Sequence, residues 1–208
     1  MVPPPAPPSG LRTVAPGLAS RRAKPDSGRI GWCTGDRPQD GRCGTRLARQ
    51  MPTLRELDPR RIVRLEHDAV VVLDQRLLPD AEVDLRCATA PELAEAIRVL
   101  AVRGAPAIGV AAAYGMALAA ERGDDLDAAF ETLAASRPTA VNLRWALEAM
   151  RGEPTRERAE RIHEDEVDRC RRMGAHAVDL FPPGSRVLTH CNAGGLATGG
   201  YGLSLIHI

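Results

Sequence analysis

Three observations predict an α/β protein: a first domain made of a small antiparallel sheet plus helices, followed by the start of a second unit. Residues 61–87 hold short β-branched runs separated by polar turns. Residues 89–180 place apolar side chains at helical spacing between Gly and Pro breaks. Last, Arg186-Val187-Leu188-Thr189 runs into His190-Cys191-Asn192-Ala193-Gly194-Gly195, which reads as strand, glycine-containing turn and helix start.

Taken in order, the first fifty residues differ from all that follow. Pro3-Pro4-Pro5-Ala6-Pro7-Pro8 opens a Pro-, Gly-, Ser- and Arg-rich stretch that lacks apolar periodicity and cannot bury enough surface to offset chain entropy. No apolar core follows a basic start, so it is not a secretory signal, and its Pro density opposes an amphipathic transit helix. The expectation is a disordered extension over 1–50 with Met51 as the natural start, in which Cys33 and Cys43 carry no function.

From Met51 the pattern is regular. Arg61–Leu65 and Ala69–Leu73 are strand-like runs joined by the polar turn Glu66-His67-Asp68, and Val83–Cys87 alternates as a third strand. Cys87 falls on its apolar face and reads as core. Thr89-Ala90-Pro91-Glu92 signals a helix start, after which Leu93, Ala96, Ile97, Leu100 and Ala101 form one stripe up to a stop at Arg103-Gly104-Ala105-Pro106. Ala107–Ala120 reads as a buried helix, because Arg98, Arg103 and Pro106 interrupt the apolar run well short of the roughly 20 residues a membrane span needs. Asp124-Asp125 caps a third helix ending at Arg137-Pro138, and Leu143, Ala146, Leu147 and Met150 mark a fourth. A long charged helix is expected from Thr155 to Leu180, with Ile162, Val167, Cys170 and Ala177 inward and His163-Glu164-Asp165-Glu166 as a solvated face without metal-ligand spacing.

Composition removes several function classes. Basic and acidic residues number 28 and 27, for a net charge of +1, so there is no electrostatic case for nucleic acid or an acidic surface as partner. Aromatics are 3 % of the chain, too few for a base-stacking platform. The five cysteines are scattered, with no CxxC pair or Cys/His cluster at zinc spacing, which fits a reduced cytoplasmic protein without a structural metal.

Two readings of Cys191 stand side by side. A strand end feeding a helix start exposes backbone N–H groups that favour an anion, making Cys191 a candidate acid, base or nucleophile. Equally, a lone cysteine near a strand is a common packing residue. Arg103 and Arg137 both occupy breaks between helices, where a pair could clamp a phosphate or each could cap the preceding helix.

Four stretches resemble one family. Leu73-Asp74-Gln75-Arg76-Leu77-Leu78-Pro79, Val102–Gly115 with its Arg103-Gly104-Ala105-Pro106, Arg137-Pro138-Thr139-Ala140-Val141-Asn142-Leu143 and Thr189-His190-Cys191-Asn192-Ala193-Gly194 are similar, in order and broadly in spacing, to the motifs of methylthioribose-1-phosphate isomerase. The resemblance covers Met51 to about Gly202. Its superfamily also holds the alpha, beta and delta subunits of the exchange factor for translation initiation factor 2, and ribose-1,5-bisphosphate isomerase.

The resemblance implies a strand-and-helix domain over 51–180, the beginning of a truncated Rossmann-like domain over 181–202, and a non-family tail over 203–208 that reads like translated adapter or vector sequence. It implies an aldose–ketose isomerase of methionine salvage, with Cys191 catalytic and Arg103, Gly104, Ala105 and Arg137 touching a small sugar phosphate. Further implications are no metal, no cofactor, and a homodimer at full length. The family's catalytic Asp and an Asn-Lys pair have no counterpart here, so the 208-residue chain is expected to be an inactive fragment. A regulatory protein of the exchange-factor type and ribose-1,5-bisphosphate isomerase are the alternatives.

Overall fold

The computed structural model describes residues 58–181, 188 and 190–202. The extension expected over 1–50 and the tail over 203–208 lie outside them. Asp58 accepts a hydrogen bond from the Arg60 N–H (3.0 Å) and Pro59 sits at the first helical position, so one helical turn, α1 (Pro59–Ile62), precedes the sheet. The first strand, β1 (Val63–Leu65), is therefore shorter than the expected Arg61–Leu65: the cap and the fixed φ of Pro59 outweigh the strand preference of its first residues.

β2 (Val70–Leu73) and β3 (Asp84–Cys87) complete an antiparallel sheet in the order β1-β2-β3, with Val63 opposite Val72 and Val70 opposite Cys87. Val63, Val70, Val72 and Cys87 face the core. Arg64, Val71 and Arg86 share the other face in register. Arg64 pairs with Asp84 at 2.9 Å, and Arg86 pairs with Glu66 and, at 2.6 Å, with Asp68. The arginine stems flank Val71, which is buried although it points away from the core. Burial pushes the Cys87 thiol up to about 12, which keeps it neutral and agrees with its reading as a core residue.

α2 (Ala90–Arg98) begins as expected: Thr89 Oγ1 accepts from the Glu92 N–H (3.3 Å), and the Glu92 carboxylate accepts from the Ala88 N–H (2.7 Å). It ends five residues earlier than the expected stop at Arg103. Leu100 adopts φ +64 and the Ala101 N–H returns to the Ala96 carbonyl at 2.9 Å, closing the helix. Leu100 is thereby turned toward solvent, while Ala101 and Val102 enter the core.

α3 (Ala105–Arg122) is the central element, and it packs against α2, α4 (Leu126–Ser136), α5 (Val141–Met150), α6 (Arg156–Ala177), β1 and β2. Every residue from Ala107 to Ala119 is buried, as an all-round apolar helix requires. Small side chains let the neighbours come close: a Cβ on Gly109 would lie 2.9 Å from the Asn142 carbonyl oxygen. Phe130, Leu133, Leu143, Leu147 and Met150 fill the space around α3, each contributing roughly 1.5–3 kcal/mol by burial. Among the described residues no helix is long and apolar enough to cross a membrane.

The inner face of α6 departs from expectation. Ala159, Ile162, His163, Glu166, Val167, Cys170 and Gly174 are buried, so only Glu164 and Asp165 of the charged run face solvent. The helix proper stops at Ala177, and a 3₁₀ turn, Val178–Leu180, accounts for the remainder. Of the strand expected over 186–189, only Leu188 is described, and it is fully exposed. The helix expected after Cys191 is the single turn α7 (Gly195–Thr198).

Candidate functional site at the glycine-rich junction

The local chemistry of residues 190–202 sets a sequence of tight turns. Cys191 takes φ +74, a left-handed conformation that costs a non-glycine residue roughly 1–2 kcal/mol. Asn192 Oδ1 accepts from the Gly194 N–H at 2.8 Å, an Asx turn that aims the chain into α7. Gly199 closes α7 at φ +79, and the Thr198 hydroxyl donates to the Tyr201 carbonyl at 2.8 Å. His190, Cys191 and Asn192 are exposed, whereas Ala197 to Gly200 are buried.

Several contacts hold this segment to the helical domain, among them Arg171 over the Tyr201 ring at 5.9 Å. Gly104, at φ +102, touches α7 so closely that a Cβ there would lie 2.4 Å from both the Cα and the carbonyl oxygen of Ala197. Gln75 donates from Nε2 to the Leu196 carbonyl (3.0 Å), and His163 Nε2 lies 2.6 Å from the Gly199 carbonyl. A carbonyl can only accept, so Nε2 carries the proton and Nδ1 accepts from the Tyr114 hydroxyl, 3.0 Å away. The Gln75 N–H also donates to the Ala101 carbonyl at 2.9 Å, tying together the stretch at 74–76, the turn before α3 and the segment after Cys191.

Of the residues singled out in the sequence, Gly104 is the one brought against the segment that carries Cys191. Arg103 and Ala105 flank it and are exposed. Arg137 ends α4, is half-buried, and lines a cavity of about 180 Å³ with Glu131, Pro138, Leu143 and Arg144; none of Arg103, Gly104, Ala105 or Cys191 lines that cavity. The larger cavity, about 570 Å³ between α1 and α6, is bordered by Arg60, Arg64, Glu160, His163 and Asp168 and contains none of the five. Among the described residues no cluster of three His, Cys, Asp or Glu side chains is arranged to hold a metal ion. Cys170 is buried on α6 with its thiol pushed up to about 11, chiefly by desolvation, and Cys191 is the exposed one of the three described cysteines.

Sequence reasoning passed over Gln75 and His163. Gln75 falls in the Leu73–Pro79 motif with no role of its own, and His163 falls in the charged run expected to face solvent. The signal was present: residues 159, 163, 166 and 170 recur at steps of four and three, the inner edge of a helix.

Burial holds His163 below the ordinary imidazole value of 6.5, opposed in part by its bond to Gly199. An unfolded chain therefore binds this proton more readily than the folded one. The stabilisation is complete above about pH 6.5 and is lost as pH falls from there toward the folded-state value. Urea melts between pH 7.5 and 5 should show declining stability, and His163→Gln should remove His163's share of that decline. An unchanged slope in the variant would refute the assignment.

Residues 101–199 match the model of the Initiation factor 2 subunit family. A methylthioribose-1-phosphate isomerase from Anaeromyxobacter sp. (strain Fw109-5) is 51 % identical over 147 residues, a match covering 66 % of this chain and 44 % of the relative. The crystal structure of 5-methylthioribose 1-phosphate isomerase from Pyrococcus horikoshii OT3 superposes with a TM-score of 0.60 at 36 % identity, over 67 % of this chain and 46 % of that one. The translation initiation factor eIF-2B subunit delta from A. fulgidus gives 0.55 at 40 % identity, over 69 % and 49 %. The chain thus spans less than half the length of these proteins. Residues 101–199, from the turn before α3 to the residue that closes α7, are thus the part of this chain similar to the Initiation factor 2 subunit family.

Proposed function

We propose that the protein carrying this segment is an aldose–ketose isomerase that converts 5-methylthioribose 1-phosphate to 5-methylthioribulose 1-phosphate in methionine salvage. The observation that carries the reading is the close seating of Gly104 on the turn of helix that follows Cys191. That contact joins the Arg103-Gly104-Ala105 stretch to the cysteine-bearing stretch at one surface of the fold. In this proposal Arg103, Gly104, Ala105 and Arg137 bind the sugar phosphate and Cys191 is the catalytic residue. Residues 181–202 begin a Rossmann-like domain, and the full-length protein is a cytoplasmic homodimer that does not engage nucleic acid.

The chemistry explains why such groups are needed. Phosphate on the anomeric oxygen prevents the ring from opening as a free sugar does. An acid must protonate the ring oxygen, and the hydrogen on C2 must reach C1, leaving a ketone at C2 with no net oxidation. Cys191 is exposed and directly precedes the Asx turn, and in this reading its thiol reaches the bound sugar. Guanidinium groups on rigid turns bind the phosphate bidentately, and that binding orients C1 and C2.

The test is made on the full-length protein that carries this segment. Incubated with 5-methylthioribose 1-phosphate and followed by NMR, it should generate the ketose phosphate. Tight binding without conversion would overturn the isomerase reading. That outcome would favour a regulatory protein, the alternative supported by the similarity to the A. fulgidus delta subunit.

A further inference from the structure

The geometry points to Gln75 and His163 as a pair of positioning residues that set the register of the Cys191 turn from two separate elements of the helical domain. This deepens the proposed isomerase reading and rests on it for its kinetic part.

Both side chains are almost wholly buried, at 2 % and 5 % exposure, and polar groups are placed there at a cost unless their partners matter. Each spends its donor on a backbone carbonyl of the same short segment: Gln75 Nε2 on Leu196 and His163 Nε2 on Gly199. The two carbonyls lie in α7 and at its closing residue. One hydrogen bond would leave so short a helix free to pivot about the contact; two, from different elements, define its orientation. Cys191 lies upstream through a turn whose own geometry is set by Asn192, so the direction in which the thiol is presented follows from how α7 is seated. Gly104 supplies the third point, where backbone meets backbone without a side chain between them.

His163 is held in one tautomer by the same arrangement. With Nε2 donating to Gly199, Nδ1 must accept from Tyr114, whose hydroxyl comes from α3. The relay therefore runs from the central helix, through the imidazole, to the segment after Cys191. Neither Gln75 nor His163 needs to touch substrate for this role, and neither does so in the proposal above.

The experiment compares Gln75→Leu, His163→Leu and His163→Gln in the full-length protein. Glutamine presents an acceptor and a donor at a separation close to that of the two ring nitrogens, so it can preserve both bonds. The amides of Ala197 and Gly200, which donate to the Gly194 and Gly195 carbonyls, report on α7 directly. Their hydrogen exchange should accelerate about tenfold in either leucine variant, as expected from losing one buried hydrogen bond. Amides inside α3 should keep their protection, and His163→Gln should stay within about twofold of the parent. In the isomerase assay kcat should fall about tenfold in the leucine variants with KM within about twofold, and His163→Gln should restore kcat.

Parental exchange at Ala197 and Gly200 in folded leucine variants would overturn the proposal, as would equal acceleration in His163→Gln and His163→Leu. If His163→Leu does not fold, Gln75→Leu and His163→Gln decide the matter. If the parent protein shows no isomerisation, the functional reading fails, and the exchange data alone uphold or overturn the clamp.

Discussion

Gly104→Ala is expected to release the segment 193–202 from the helical domain while leaving the packing around α3 in place. The added methyl would meet the Cα and carbonyl oxygen of Ala197 at 2.4 Å, and both are backbone atoms that cannot rotate away. At φ +102 the residue also sits where L side chains are strained, a cost of roughly 1–3 kcal/mol before any clash is counted. Relief requires α7 to move outward, which breaks the bonds from Gln75 and His163 at roughly 1 kcal/mol each. Those bonds favour the closed state in both proteins, so the shift comes from what only the variant carries, and strain of roughly 1–3 kcal/mol alone is about fivefold to a hundredfold in the opening equilibrium. Amide exchange at Ala197 and Gly200 measures it, with the interior of α3 as the reference. Acceleration of less than about fivefold would show that the domain accommodates the methyl, and the close seating of Gly104 would lose its significance.

Cys191→Ala in the full-length protein is expected to lower kcat by about 100- to 10,000-fold, the range associated with removing a group that transfers a proton in the transition state. Substrate binding should change little, because the proposed phosphate contacts come from the arginines. Cys191 is exposed, and its left-handed backbone strains alanine about as much as cysteine, so the substitution neither adds nor relieves that strain. Unchanged stability with lost turnover is thus the diagnostic pattern. If turnover survives within about tenfold, Cys191 is not the catalytic group, and the proton must come from elsewhere in the protein. Cys191→Ser then refines the result: a hydroxyl keeps a hydrogen-bonding group at the position but is a far weaker acid than a thiol, so binding should again change little and the rate should not be restored.

Much of the fold was legible in the chain because its signals are local. The apolar, β-branched runs on either side of Glu66-His67-Asp68 mark two strands joined by a polar turn of hairpin length, and β1 and β2 pair antiparallel across that turn. Thr89 with Glu92, Asp125 and Thr155 mark helix starts because a side-chain oxygen a few residues away satisfies an otherwise unpaired N–H, and all three caps form. The burial of α3 follows from its having no polar face. Departures came where two local rules compete, as at Pro59, where a capped helical turn displaces the start of the expected strand, and at Leu100, where a left-handed residue closes α2 early.

The sequence by itself determined the elements, their order and the family motifs, since each depends on residues within a few positions of one another. Only the tertiary structure decided which motifs meet. Gln75 lies 121 residues from Leu196 and His163 lies 36 from Gly199, and no periodicity spans those gaps. Nor does a glycine's place in a motif reveal that Ala197 will occupy the space its side chain would have filled. The charged run on α6 carries the same lesson in one turn of helix: Glu164 and Asp165 look outward while His163 and Glu166 look in, because helical rotation assigns the direction and the neighbours around α3 and α7 supply what each side chain meets.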